Sequence, residues 1–129
     1  TEMPGQYDTL RGVAFGKGAV IAVGGGGSYW EANSFVARST DLSTWDEDLI
    51  AGTEADRYRL QDVAFGGEVF VAVGDHAHAI RSGNGGTSWT ATGPDVQEAR
   101  VLSVAGSSDD RFVAVGWHWV EYDAPKTSF

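Results

Sequence analysis

Leu10-Arg-Gly-Val-Ala-Phe-Gly-Lys-Gly-Ala-Val-Ile-Ala-Val-Gly24 returns fifty residues later as Leu60-Gln-Asp-Val-Ala-Phe-Gly-Gly-Glu-Val-Phe-Val-Ala-Val-Gly74. A third copy with one inserted residue reads Val101-Leu-Ser-Val-Ala-Gly-Ser-Ser-Asp-Asp-Arg-Phe-Val-Ala-Val-Gly116. A second block follows each copy. It is Phe35-Val-Ala-Arg-Ser-Thr-Asp-Leu-Ser-Thr-Trp45, then His78-Ala-Ile-Arg-Ser-Gly-Asn-Gly-Gly-Thr-Ser-Trp89, then His118-Trp-Val-Glu-Tyr-Asp-Ala-Pro-Lys-Thr-Ser-Phe129. Identity at this many spaced positions establishes an internal repeat.

Within each unit, short β-branched and aromatic runs alternate with turn residues. Residues 13–15, 20–23, 35–39 and 45 onward have strand length and strand composition. The breaks at 16–18, 66–67 and 107–110 carry Gly, Ser or Asp, the chemistry of tight hairpins. No stretch of about 12 residues holds a helical apolar period, so the chain reads as all-β. Four short strands in about 40–45 residues is the spacing of one propeller blade.

Charge and composition exclude several functions. Nine Lys and Arg stand against eighteen Asp and Glu, a formal charge of -9 in 129 residues. Nucleic acid and anionic membrane surfaces are poor partners for such a chain, since both need a cationic face. The chain has no cysteine, which removes disulfides and thiolate metal sites. No apolar run approaches the roughly 18 residues of a helical span, and the first residues show no basic and apolar leader pattern.

The pattern Leu-x-x-Val-Ala-Phe-Gly, then Phe-Val-Ala-Val-Gly, then Ile-Arg-Ser-x-Asn-Gly-Gly-x-x-Trp resembles the Asp-box (BNR, sialidase-like) β-propeller repeats, over essentially the whole chain. Ser82, Asn84, Gly86 and Trp89 match the box, with Asn in place of Asp. Ser39, Asp41 and Trp45 match a version one residue shorter, and the third unit keeps Asp123 and Phe129. A short Asx side chain can hold backbone N–H groups of its own turn, and the following aromatic packs into the sheet. The resemblance implies the same structural role, with Asp41 and Asn84 serving the fold and not catalysis.

The single domain, residues 1–129, then divides into blade 1 at about 10–50, blade 2 at about 60–93 and blade 3 at about 101–129. From Trp45 to Trp89 is 44 residues and from Trp89 to Phe129 is 40. The chain stops where the fourth strand of blade 3 should begin, and residues 1–4 are expected to supply that strand. Propeller rings contain about four to eight blades, so three are too few. The expected assembly is a homodimer closing a six-bladed ring. The alternatives are a piece of a longer or split propeller, or another β fold.

In an up-and-down blade, the second-to-third-strand loops and the blade-to-blade segments gather on one rim, which is where long loops place function. That rim takes residues 24–34 with Tyr29, Trp30 and Glu31, residues 74–77 with Asp75 and His76, and Trp117. Tyr29, Trp30, Asp75, His76 and Trp117 are therefore the ligand candidates, for a carbohydrate or a protein. The same aromatics would serve equally to pack a neighbouring blade or fill the channel mouth. His78 and His118 occupy the position of Phe35, which fits core packing better than metal binding, and no metal or cofactor is expected. Arg38 and Arg81 recur at one repeat position, which suits blade-to-blade hydrogen bonds. No Gly-x-Ser-x-Gly, His-Glu-x-x-His or phosphate loop occurs. The expectation is a non-catalytic binding or scaffold module, with a lectin-like propeller as the alternative and a sialidase-type hydrolase fragment behind both.

Overall fold

A computed structural model describes residues 9–26, 33–47, 49–50, 53–92, 100–109, 111–116 and 120–123. The regular structure in them is entirely β, arranged as three antiparallel sheets. The first contains β1 (Thr9–Gly16), β2 (Ala19–Gly26) and β3 (Asn33–Ser39) in that order. The second contains β4 (Leu60–Gly66), β5 (Val69–Gly74), β6 (Ala79–Ser82) and β7 (Thr90–Thr92), and the third β8 (Val101–Gly106), β9 (Arg111–Gly116) and β10 (Val120–Asp123). Each sheet is one copy of the repeat.

The registers repeat as closely as the sequence does. Leu10 pairs with Gly24, Leu60 with Gly74 and Val101 with Gly116, and in every sheet the register shifts immediately afterwards. One bulge is thus built at the same place three times. The glycine that recurs there has a spatial reason: a Cβ at Gly24, Gly74 or Gly116 would stand 1.9–2.0 Å from the carbonyl oxygen of Thr9, Arg59 or Arg100. The first two hairpins turn through two residues with positive φ, Lys17 and Gly18, then Gly67 and Glu68. This geometry matches the twist of the flanking strands.

The sheets stack in chain order, with β1 against β4 and β4 against β8. Two apolar layers result. Ile21, Val23 and Val36 of the first sheet meet Leu60, Val63 and Phe70 of the second. Val69, Val71 and Val73 of the second meet Val101, Val104 and Phe112 of the third. β5 is buried at every position, because its odd and even residues serve different layers. At about 25 cal/mol per Å² of apolar surface removed from water, these two layers are the main source of stability.

The sequence led us to expect four strands per unit, but only the second sheet has four among the described residues. In the first unit the fourth strand shrinks to one bridge, Arg38 to Asp46, where the other chain segment is the charged run Asp46-Glu47. Its box is one residue shorter, and acidic residues have low strand propensity. In the third unit, residues 1–4 and 124–129, expected to complete the sheet, lie outside the described residues.

Candidate functional site

The middle sheet carries a polar cluster at the rim where β5 ends. Gly74 accepts Asp75 into a tight turn closed by His78 N–H to Asp75 O at 3.0 Å, and Gly74 N–H donates to His78 O at 2.9 Å. His76 and Ala77, the two turn residues, both have positive φ, 61° and 58°. Left-handed backbone without glycine costs about 1–2 kcal/mol per residue, so the surroundings must hold it. They do: the Ala77 methyl is buried in the layer between the second and third sheets, and the His76 ring stacks on Tyr58 at 4.2 Å. His78 is buried with Nε2 2.8 Å from Ala55 O, and it meets Tyr58 edge-on.

Asp75 sits at the centre. Its carboxylate receives Gln61 Nε2 at 3.0 Å and Arg100 Nε at 3.1 Å on Oδ1, with Arg59 Nε 3.4 Å from Oδ2. Its side chain is only 10% exposed. The backbone joins in, with Asp75 N–H donating to Arg59 O at 3.0 Å and a bridge to Arg100. Arg59 and Arg100 hold equivalent repeat positions, one residue before Leu60 and Val101. The cluster therefore ties the end of one sheet to the start of the next. Oδ1 thus holds two donors, while Arg59 faces Oδ2 as an ion pair without a hydrogen bond from its Nε, and the group acts as a clamp between two strand starts.

Of the residues expected on this rim, Asp75 and His76 are brought together beside Tyr58, while Tyr29, Trp30 and Trp117 lie outside the described residues. Arg59, Gln61, Arg100 and Tyr58 were not singled out from sequence. The matching arginines before Leu60 and Val101 were the available signal.

The box residues form local turns on the opposite rim. Ser39 Oγ accepts Leu42 N–H at 2.8 Å, and Asp41 Oδ1 accepts Ser43 and Thr44 N–H at 2.9 and 2.8 Å. Those two backbone donors hold the Asp41 carboxyl below its ordinary value. In the second unit Ser82 Oγ accepts Gly86 N–H at 2.9 Å and Asn84 Oδ1 accepts Ser88 N–H at 3.1 Å. Trp89 is buried against Phe70 and donates Nε1–H to Gly86 O. Trp45, its counterpart, is only half-buried and lines an open cleft with Asp46, Glu47 and Leu49. Phe129 lies outside the described residues.

Among the described residues, no group of three or more His, Asp or Glu side chains converges as a metal site. No helix there is long and apolar enough to cross a membrane. No protein-family model matches the chain, and no curated protein matches it.

Proposed function

We propose that the chain is a non-catalytic β-propeller scaffold of the Asp-box type, with each sheet serving as one blade, and that it assembles as a homodimer into a ring of six. The observation that carries this reading is the recurrence of one register, bulge included, in three sheets stacked through their first strands. The two closed box turns, on Asp41 and Asn84, support it further. One chain supplies three blades and two chains six, within the range that closes a ring, while three chains would exceed it.

The ligand of this scaffold is a protein surface, bound on the rim that holds Asp75 and His76. Near Asp75 the Tyr58 ring is engaged by His76 at 4.2 Å and by the Arg57 guanidinium at 5.1 Å, contacts that favour a mixed polar and aromatic surface. Native mass spectrometry tests the assembly: a mass near twice 13.7 kDa supports the ring, and a stable monomer removes it. Glycan-array binding that disappears in Trp30→Ala would replace the protein ligand with the lectin-like alternative.

A further inference from the structure

The two end sheets of the stack present apolar faces of unusual exposure. Val13 and Phe15 on the outer face of the first sheet are 67% and 70% exposed. Val113 and Val115 on the outer face of the third are 49% and 51% exposed. The counterparts of the three valines are buried, and Phe65, the counterpart of Phe15, is half-buried. By register, Val13 matches Val63 and Val104, which are 4% and 7% exposed. Val113 and Val115 match Ile21 with Val23 and Val71 with Val73, none above 2%.

The faces are also complementary in kind. At both internal layers, one sheet contributes the residues of its second strand that match Val113 and Val115, and the next contributes those matching Val13. The third sheet ends with the first half of that layer uncovered, and the first sheet begins with the second half uncovered. Exposed apolar patches of this type mark interaction surfaces.

We infer that the outer face of the first sheet docks on the outer face of the third sheet of a second copy of this chain, repeating the internal layer across the seam. This rests on the six-bladed reading and deepens it, by naming the two faces and their order. The ring pair is closed, since each copy offers one face of each kind and the two contacts form together.

The experiment is native mass spectrometry of the chain and of two single variants, Phe15→Glu and Val113→Asp, alone and mixed. Both side chains are exposed in the single chain, so neither variant should unfold it, and circular dichroism checks this. Each variant alone is expected to weaken the dimer at least tenfold in Kd, since both seams are damaged. The mixture is expected to recover heterodimer, because one of its two seams is intact. A Val113→Asp chain that dimerises normally while Phe15→Glu does not would overturn the proposal in favour of like faces meeting. A dimer indifferent to both variants would also overturn it, and would show a twofold contact elsewhere than at the ends of the stack. A wild-type monomer would sink both it and the six-bladed reading, and would assign the faces to another part of a longer protein.

Discussion

Arg38 of the first sheet donates Nε–H to Gly85 O in the box turn of the second, at 2.8 Å, while the matching Arg81 Nε is buried with no hydrogen-bond partner among the described residues. One repeat position thus holds a made latch and an unmade one. A charged donor in a hydrogen bond contributes about 1.5–3 kcal/mol, whereas a buried unpaired donor is a cost. Arg38→Met should therefore lower unfolding stability by about 1.5 kcal/mol, and Arg81→Met should stay within about 0.5 kcal/mol of wild type or raise it. Urea denaturation of both variants decides this, and equal losses would remove the distinction.

Phe65 gives a second contrast. A Cβ at Gly16 would stand 2.3 Å from the Phe65 ring, which is held in turn against Phe70 at 4.7 Å. Gly18, two residues on, meets nothing within 4 Å but has φ +72°. Gly16→Ala should cost about 1–3 kcal/mol through overpacking between the sheets. Gly18→Ala should cost about 1–2 kcal/mol through backbone strain alone. The two are separable, because Gly18→Asn restores most of the loss and Gly16→Asn restores none.

Most of this architecture was legible in the repeat. Aligning Leu10, Leu60 and Val101 placed the strands and hairpins in all three units, because one pattern of alternation and turn chemistry specified each. The shortened fourth strand at Asp46 was less legible, since Trp45 suggests a strand start and only the missing box residue argues otherwise. The rim cluster was harder still. Asp75 and His76 were found as loop residues, but the partners of Asp75 come from separate strand starts, and their convergence depends on how two sheets stack. A single chain pattern carries periodicity well and cross-sheet side-chain pairing poorly.

Asp41 predicts a pH dependence. Its carboxyl is held below the ordinary value of 3.8, first by the Thr44 and Ser43 backbone N–H groups. The folded form thus favours the ionised state, and the stability it adds is full above the unfolded value and lost as pH falls through the folded one. Asp41→Asn keeps an Oδ1 acceptor, as Asn84 does naturally, but removes the titration. Thermal midpoints should fall less steeply for Asp41→Asn than for wild type as pH is lowered below about 4. A residual slope is expected from Asp109, whose carboxyl is lowered chiefly by the Ser107 hydroxyl. Identical slopes in the two proteins would exclude Asp41 as a contributor.

Asp75 tests whether the rim cluster acts as a clamp. Removing the carboxylate leaves Gln61 and Arg100 without their shared Oδ1 and Arg59 without its ion-pair partner. A fully buried pair broken on one side costs about 3–5 kcal/mol, but these guanidiniums are 26% and 43% exposed and can recover water. Asp75→Ala should therefore cost about 2–3 kcal/mol. Asp75→Asn should cost less, because an Oδ1 can still accept from Gln61 and Arg100. Gln61→Ala, which removes one neutral donor, should cost about 1 kcal/mol. Because Asp75 joins the second sheet to the strand that opens the third, hydrogen exchange in Asp75→Ala should accelerate first along β8, with β1 and β2 unaffected. Uniform acceleration across all three sheets would make Asp75 an ordinary contributor to global stability and not the tie between those two sheets.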